Sequence, residues 1–493
     1  MSETREPAHE PGSGPLASEP RSGTVPVGGA AVATVAARMD RLPVTRTHRR
    51  ATLAVGLGLF FEFYEVFLTG VLTSVLTSEF HLTKAQLPPV LASTFIGMFL
   101  GALILGRLAD RVGRRGAFLL NLGVYSLFSF LGAFSMNAFW LMGTRFLAGI
   151  GLGAEPPLAD TYLTDLLPPR FRGRYIAWAY TLAFCGVPVV GFLAKGITEG
   201  EFLGIPGWRW MFVIGAVGAL IVFLLRRGLP ESPRWLESAG RQEEAEAVVA
   251  EFEREARAEG HTLDEPAPAA PVAAPAAPDA PQRSGGVRSA VSDLFVAPYK
   301  RRTTMMVVFH IFQTIGYYGF GTMVPLVLVA KGYPVSTSLL FTALTYLGYP
   351  LGSALSLPLV ERFERKFLVI GALVVMAVLG LAFGFSSSMA LILVFGFLYT
   401  AVSNVFSNAY HIYQAEIFPT QLRSTASSGT YALSRLATAA MPFVLVPLLN
   451  NAGVAPMFAV VVAAVIIVAV DVAVLGPCTT GRTLEAVNAP ARG

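Results

Sequence analysis

The stretch Gly106-Arg107-Leu108-Ala109-Asp110-Arg111-Val112-Gly113-Arg114-Arg115 has a counterpart in Leu357-Pro358-Leu359-Val360-Glu361-Arg362-Phe363-Glu364-Arg365-Lys366. Acid and bases coincide at an offset of 251 residues (361 − 110). A second pair keeps the same offset. Tyr162-Leu-Thr-Asp165-Leu-Leu-Pro168-Pro-Arg-Phe-Arg172 matches Tyr413-Gln-Ala-Glu416-Ile-Phe-Pro419-Thr-Gln-Leu-Arg423 (416 − 165 = 251). One offset shared by two separate motifs marks a duplicated unit. In a membrane chain, parallel halves of this kind build a transporter with its substrate site at their interface.

The composition places the chain in a membrane. Of 493 residues, 54% are hydrophobic and 14% charged, against roughly 25% charged in ordinary soluble domains. Net charge is +5, but the basic residues form short clusters between apolar runs rather than a stripe, so nucleic acid is not an expected partner. Two cysteines, Cys185 and Cys478, exclude a disulfide scaffold.

A bilayer core about 30 Å thick takes about 20 apolar residues of helix. Twelve stretches qualify: 51–74, 88–106, 117–136, 139–163, 175–194, 210–225, 304–329, 337–360, 367–386, 389–412, 425–449 and 454–475. The expected fold is therefore all-α, twelve transmembrane helices in two pseudo-symmetric six-helix halves. An even number puts both termini on one side. Arginine and lysine crowd before span 1 and after spans 2, 4, 6 and 8, while the alternate loops carry few. By the positive-inside rule both termini are expected in the cytosol, with the protein in the plasma membrane.

The expected organisation is a disordered N-terminal tail (1–50), a first half (51–236), a cytosolic loop (237–302), a second half (303–476) and a C-terminal tail (477–493). The tail has no convincing signal-peptide core, and Met39 is an alternative start to Met1. Residues 237–259 read as an amphipathic helix, and 263–281, with six prolines, as a linker.

These residues resemble the major facilitator superfamily. The Gly106–Arg115 run is similar to its loop signature, and Arg145-Phe-Leu-Ala-Gly149-Ile-Gly151-Leu-Gly153 to its helix-4 motif. Pro230-Glu231-Ser-Pro-Arg234-Trp-Leu and the acid-x6-Arg pairs Asp165/Arg172 and Glu416/Arg423 resemble sugar porters. Gly153-Ala154-Glu155-Pro-Pro, Arg41-Leu-Pro43 and Ser434-Arg435 lean towards the bacterial metabolite:proton symporters, a branch similar to niacin, aromatic-acid and synaptic-vesicle-2-like carriers. The sequence departs from these patterns in three places. Glu62 and Glu65 stand where that branch often has two Asp, Glu364 stands opposite Gly113, and Cys478 stands where sugar porters have Glu. The resemblance implies alternating access, with helices 3, 6, 9 and 12 facing outward.

Charged groups inside a bilayer cost about 2.5–3.5 kcal/mol on insertion scales and face a cavity or a partner. Gly58, Glu62, Glu65, Thr69 and Thr73 share one face of span 1. Two carboxylates one turn apart repel, so one is expected to hold a proton: a proton-coupling site, unless a nearby arginine merely neutralises both. Arg145 is the expected counter-charge, either released when helices move or fixed in a salt bridge. Glu155 and Asp160 lie beside Pro156 and Pro157, where they cap freed backbone or meet water, and Asp160 is a candidate second proton carrier.

In the second half, His310-Gln313-Tyr317, Thr400-Asn404-Ser407-His411 and Ser428-Tyr431-Arg435-Thr438 form polar stripes. Gln313 repeats Glu62 (62 + 251). Gln313, Tyr317, Asn404, His411, Tyr431 and Arg435 are the expected substrate-binding set. Arg435 receives a substrate carboxylate or pairs with an acid of the first half such as Glu62. Asp110, Arg111, Arg114, Asp165, Arg172, Glu231, Arg234, Glu361, Arg365, Glu416 and Arg423 are the expected gating set, pairing across the two halves on the cytosolic side.

No Walker loop, nucleophile elbow or metal-ligand spacing occurs, so neither an enzyme nor a cofactor or metal is expected. The expected function is secondary transport of a small organic metabolite, an organic or aromatic acid before a sugar, with protons, by a monomer. Proton-driven export, sugar:proton symport and a non-transporting receptor are the alternatives. Gly186-Val-Pro188-Val-Val-Gly191 is only loosely similar to the antiporter helix-5 motif, which speaks mildly against export.

Overall fold

Residues 34–265, 294–295, 299–418 and 420–479 are described by the computed structural model, without the side chains of Arg107, Asp110, Ala415 and residues 420–428. Twelve helical segments cross the apolar layer. In the first half they are helix 1 (Arg46–Val71), helix 2 (Leu87–Val112), helix 3 (Arg114–Gly132), helix 4 (Ala138–Leu152 and Glu155–Leu166), helix 5 (Pro169–Phe184 and Gly186–Ile197) and helix 6 (Gly207–Arg227). In the second half they are helix 7 (Lys300–Thr314, Ile315–Gly319 and Phe320–Ala330), helix 8 (Val335–Tyr346 and Gly348–Arg362), helix 9 (Arg365–Phe385), helix 10 (Met389–Glu416), helix 11 (Thr420–Ala452) and helix 12 (Val454–Leu475).

Most helices overrun the apolar stretches by several residues, since a helix continues through the interface with its charged turns in water. That overrun has one consequence: it carries Arg226, read from sequence as a loop flank, into the interior at 1% exposure. Helix 4 breaks at Gly153-Ala154 because Pro156 and Pro157 lack N–H groups to continue the ladder. Helix 7 widens into a π-turn at Ile315–Gly319, where two glycines flank Tyr317 and Tyr318.

Helices 2 and 4 touch backbone to backbone. A Cβ on Gly97, Gly149 or Gly153 would lie 2.0, 2.2 or 2.1 Å from the carbonyl oxygens of Phe146, Thr94 and Met98. Helices 3, 6, 9 and 12 hold the periphery, with Leu127, Leu224, Val378 and Val474 at least half exposed where lipid tails would cover them.

The two halves meet on the side away from the termini. Gly70 abuts Thr322, and a Cβ on Gly191 would lie 2.8 Å from the Ala343 Cα. Phe67 packs edge-on against Tyr346 and Tyr349 at 5.5 and 5.6 Å. Towards the terminal side, Asp160 of helix 4 and His411 of helix 10 are open to solvent.

The tail boundary needs correction. Residues from Thr34 onward fold: Thr34 caps the short helix Val35–Asp40, whose Val35 and Met39 pack with Ala245, Val249, Phe252 and Ala256 of the helix Gln242–Ala258. That helix is the expected amphipathic one, slightly shorter. Arg38 and Arg41 clamp Glu253, and Glu255 and Glu259 accept from the backbone N–H groups of Thr47 and Arg46 at the start of helix 1. Burial alone would raise the Glu253 carboxyl, but the Arg38 and Arg41 guanidinium groups prevail and hold it below its ordinary value. The stretch 266–281 of the expected linker, residues 1–33, and most of the C-terminal tail lie outside the described residues.

Candidate functional site

Helix 1 lies at the centre, and its two glutamates have different surroundings. Glu65 is fully buried and saturated. Both Nη atoms of Arg145 donate to its Oε2 at 2.8 Å, and the Ser129 hydroxyl donates to its Oε1. Gly215 of helix 6 makes room, since a Cβ there would lie 2.2 Å from Oε1. Arg145 also sits 5.2 Å from the centre of the Phe212 ring. This pair ties helices 1, 3, 4 and 6 together. Removing one partner from such a pair costs about 3–5 kcal/mol, because a buried charge is left alone.

Glu62 is only 2% exposed, and its Oε2 has no hydrogen-bond partner among the described residues. The charged groups that act on it come from both halves: Glu155, Asp160 and Arg226 from the first, Arg435 from the second. None of the three arginines within the halves' interior lies in a salt bridge with it. Glu62 and Glu65, equivalent on the helix face, thus diverge into an open group and a locked one. The phenol of Tyr180 faces Asp160.

Glu155 was expected to cap backbone or meet water. It does neither. It forms a salt bridge with Arg226, Nη1 to Oε1 at 2.5 Å, with both residues essentially unexposed.

Across the interface, Arg435 of helix 11 is 4% exposed. Its Nη1 donates to the Tyr318 hydroxyl at 2.9 Å and its Nη2 to the Tyr431 hydroxyl, while its Nε is unpaired. The guanidinium lies 5.3 and 4.7 Å from the centres of the same two rings. Its direct contacts are therefore neutral, and the alternative of an Arg435–Glu62 salt bridge is not what the structure shows. Tyr318 was not in the expected substrate set; it sits on the π-turn, where one extra residue per turn swings its neighbour Tyr317 the other way.

The remaining members of that set divide. Gln313 donates to Ser434, beside Arg435, at 3.4 Å. Tyr317 donates instead to Asn404 at 3.3 Å, and Asn404 donates to the Tyr349 carbonyl, so these two brace helices 7, 8 and 10 behind the site. His411 stacks on Tyr410 at 4.2 Å with its ring open to solvent, and His310 bonds Gln414.

Among the described residues, members of the gating set make contacts within each half. Glu231 accepts from the backbone N–H groups of Arg114 and Arg115, Ser232 donates to Asp165, and Arg234 donates to the Asp165 carbonyl and pairs with Asp40. Arg172 reaches the Leu167 carbonyl, and Arg365 pairs with Glu416 at 3.3 Å. Arg111 and Glu361 are exposed. The side chains of Asp110 and Arg423 lie outside the described residues. Cross-half pairs belong to a state in which the terminal side is closed, and here the far side is the closed one.

Twelve helices in two repeated halves, with ionisable groups gathered between them, define a secondary transporter of the major facilitator superfamily. Residues 51–490 match the family described as sugar (and other) transporter, and the chain belongs to it. The chain is 33% identical over 422 residues to the inner membrane metabolite transport protein YgcS of Escherichia coli, covering 83% of this chain and 87% of that one. It is 29% identical to the niacin transporter NiaP of Acinetobacter baylyi, over 92% and 99% of the two chains. Among solved structures, the E. coli xylose transporter XylE in a partially occluded inward-open conformation superposes with a TM-score of 0.70. That superposition covers 88% of this chain and 99% of XylE at 20% identity, a likeness of fold.

Proposed function

We propose that the protein carries a small organic anion, an organic or aromatic carboxylate, together with protons, across the plasma membrane by alternating access. The observation that carries this reading is Arg435: a buried guanidinium at the interface of the halves, contacted among the described residues by two phenols and no acid, with one N–H left without a partner among them. A carboxylate accepts two parallel bonds from such a group, and the flanking Tyr318 and Tyr431 rings offer faces to a planar substrate. The niacin transporter among the relatives moves an aromatic carboxylate by its name, which fits that chemistry.

Glu62 supplies the coupling in this reading. As a carboxylate it repels an incoming anion; once protonated it does not. Proton and substrate therefore favour each other's binding, and linkage makes the effect reciprocal. Glu65 stays bonded to both Nη atoms of Arg145 and serves as the fixed partner. Asp160, open to solvent on the terminal side, hands the proton to water. The arginine-rich loops support a cytosolic placement of both termini, so the structure corresponds to a cytosol-open form. The test is uptake of labelled nicotinate and benzoate into proteoliposomes under an inside-alkaline pH gradient. Accumulation lost in Arg435→Gln supports the reading, and equal accumulation by that variant contradicts it.

A further inference from the structure

The Glu155–Arg226 pair has no role in the proposed transport cycle, yet it sits one helical turn from Glu62. Arg226 donates from Nε to the Ala54 carbonyl and from Nη2 to the Val55 carbonyl, both at 3.2 Å, and lies 4.1 Å from the Phe118 ring centre. A Cβ on Gly58 would fall 1.9 Å from its Nη2 and 3.1 Å from Glu155 Oε1. Gly58 and Glu62 are four residues apart on one face, so the pair packs against helix 1 one turn from Glu62.

The three buried acids of this half are satisfied unequally. Glu65 takes three donors, Glu155 takes one from Arg226 on Oε1, and the Oε2 atoms of Glu155 and Glu62 take none among the described residues. Helix 3 presents two fully buried side chains to the same space, the Asn121 amide and the Tyr125 hydroxyl, also without direct partners. Asn121 lies beside Glu155, and the charged neighbours of Tyr125 are Glu155, Arg226, Glu65 and Glu62. Buried polar atoms on four side chains, without direct partners among the described residues, are costly unless they exchange hydrogen bonds, directly or through water.

We propose that Glu155 is a second proton-accepting group of the carrier and shares one transferable proton with Glu62, with the Tyr125 hydroxyl beside them as the relay. The proton leaves the Glu62 carboxyl and ends on Glu155 Oε2. The Tyr125 hydroxyl, which bonds neither carboxyl directly here, relays it when water or a side-chain shift closes the gap, accepting one proton as it gives up its own. Glu62 ends as a carboxylate, Glu155 as an acid and Tyr125 unchanged, with no change in oxidation state. Arg226 holds Oε1 throughout, which keeps Glu155 in place in either protonation state. The other groups facing Glu62 are Asp160 and Tyr180 on the terminal side and Arg435 and Tyr431 across the interface. This inference rests on the reading of Glu62 as the coupling acid.

The test needs no substrate: infrared titration of the carboxylic C=O stretch of the purified full-length protein in lipid nanodiscs, from about pH 4 to about pH 9. Two acids sharing a proton titrate as a pair, so Glu62→Gln moves the Glu155 midpoint, and Glu155→Gln the Glu62 midpoint, by about one pH unit or more. Tyr125→Phe slows proton uptake after a pH jump about tenfold or more, a typical general acid–base contribution at its low end. Because Glu155→Gln strands the Arg226 charge, the double variant Glu155→Gln/Arg226→Gln, with a neutral pair in its place, must also lose the Glu155 band. If Glu62→Gln abolishes the whole titration while Glu155→Gln leaves it unmoved, Glu155 is structural only and the inference fails alone. If no band belongs to Glu62, the inference and the coupling reading both fail.

Discussion

Gly58→Ala is the sharpest probe of how the first half is held together. The added Cβ would sit 1.9 Å from Arg226 Nη2 and 2.5 Å from its Cζ. A guanidinium at the end of a long side chain ordinarily moves aside cheaply. This one is 1% exposed, bonded to two carbonyls and a carboxylate, and backed by Phe118, so it has nowhere to go. Displacing it uncouples a buried ion pair, at about 3–5 kcal/mol. Alanine returns about 1 kcal/mol over glycine in a helix, leaving a net loss of about 2–4 kcal/mol. At about 2–4 °C per kcal/mol, the midpoint of thermal unfolding falls by about 4–16 °C. The assay is intrinsic-fluorescence melting of the purified protein, with Gly143→Ala as control, since a Cβ there meets nothing within 4 Å. A Gly58→Ala protein melting with the control would refute the claim that Arg226 is locked over helix 1.

Three further outcomes follow from the site. Glu62→Gln keeps substrate counterflow while losing accumulation under a pH gradient; a variant that still concentrates substrate removes Glu62 from coupling. Arg435→Lys keeps the charge but loses the planar fork, so it weakens affinity for a carboxylate about tenfold or more, measured as a shift in half-saturation. Glu253→Gln loosens the helix Gln242–Ala258 from the N-terminal segment by about 1–3 kcal/mol, read as faster amide exchange across both. For the same group the pH dependence has a definite sign. Its folded carboxyl lies below the ordinary 4.5, so its contribution is complete above that value and is lost as the pH falls through the lower, folded value. Wild-type exchange there accelerates below about pH 4.5, and the Glu253→Gln protein shows no such step.

The architecture was legible in the sequence because its signals are long-range and redundant. The 251-residue offset, the apolar spans and the one-sided arginines each point to twelve helices in two halves. The polar interior was legible in part. Glu62, Glu65, Arg145 and Arg435 stand out as charges within apolar runs, and Tyr431 follows from Arg435 by one turn. What spacing could not supply was partners, because they arrive from other helices. Arg226 stands next to Arg227 at the end of an apolar run and reads as an interface residue. Only Gly58, which clears space for it, and Glu155, which needs a base, mark its role. Tyr318 takes the place expected of Tyr317 beside Arg435 at the π-turn, a local change of helical period that includes Gly316 and Gly319. The acid–base motifs of the terminal side carry the repeat but not the conformational state. Their cross-half pairing was expected, while the contacts described for Glu231, Asp165, Arg234, Arg365 and Glu416 lie within each half.

Proton uptake measured together with substrate uptake tests the central claim most directly. Proteoliposomes containing the protein and a pH-sensitive dye receive nicotinate or benzoate without any imposed gradient. Inward substrate movement accompanied by internal acidification, lost in Glu62→Gln while exchange persists, is the predicted result. Substrate entry with no proton movement, or acidification unchanged in the Glu62→Gln protein, would contradict it.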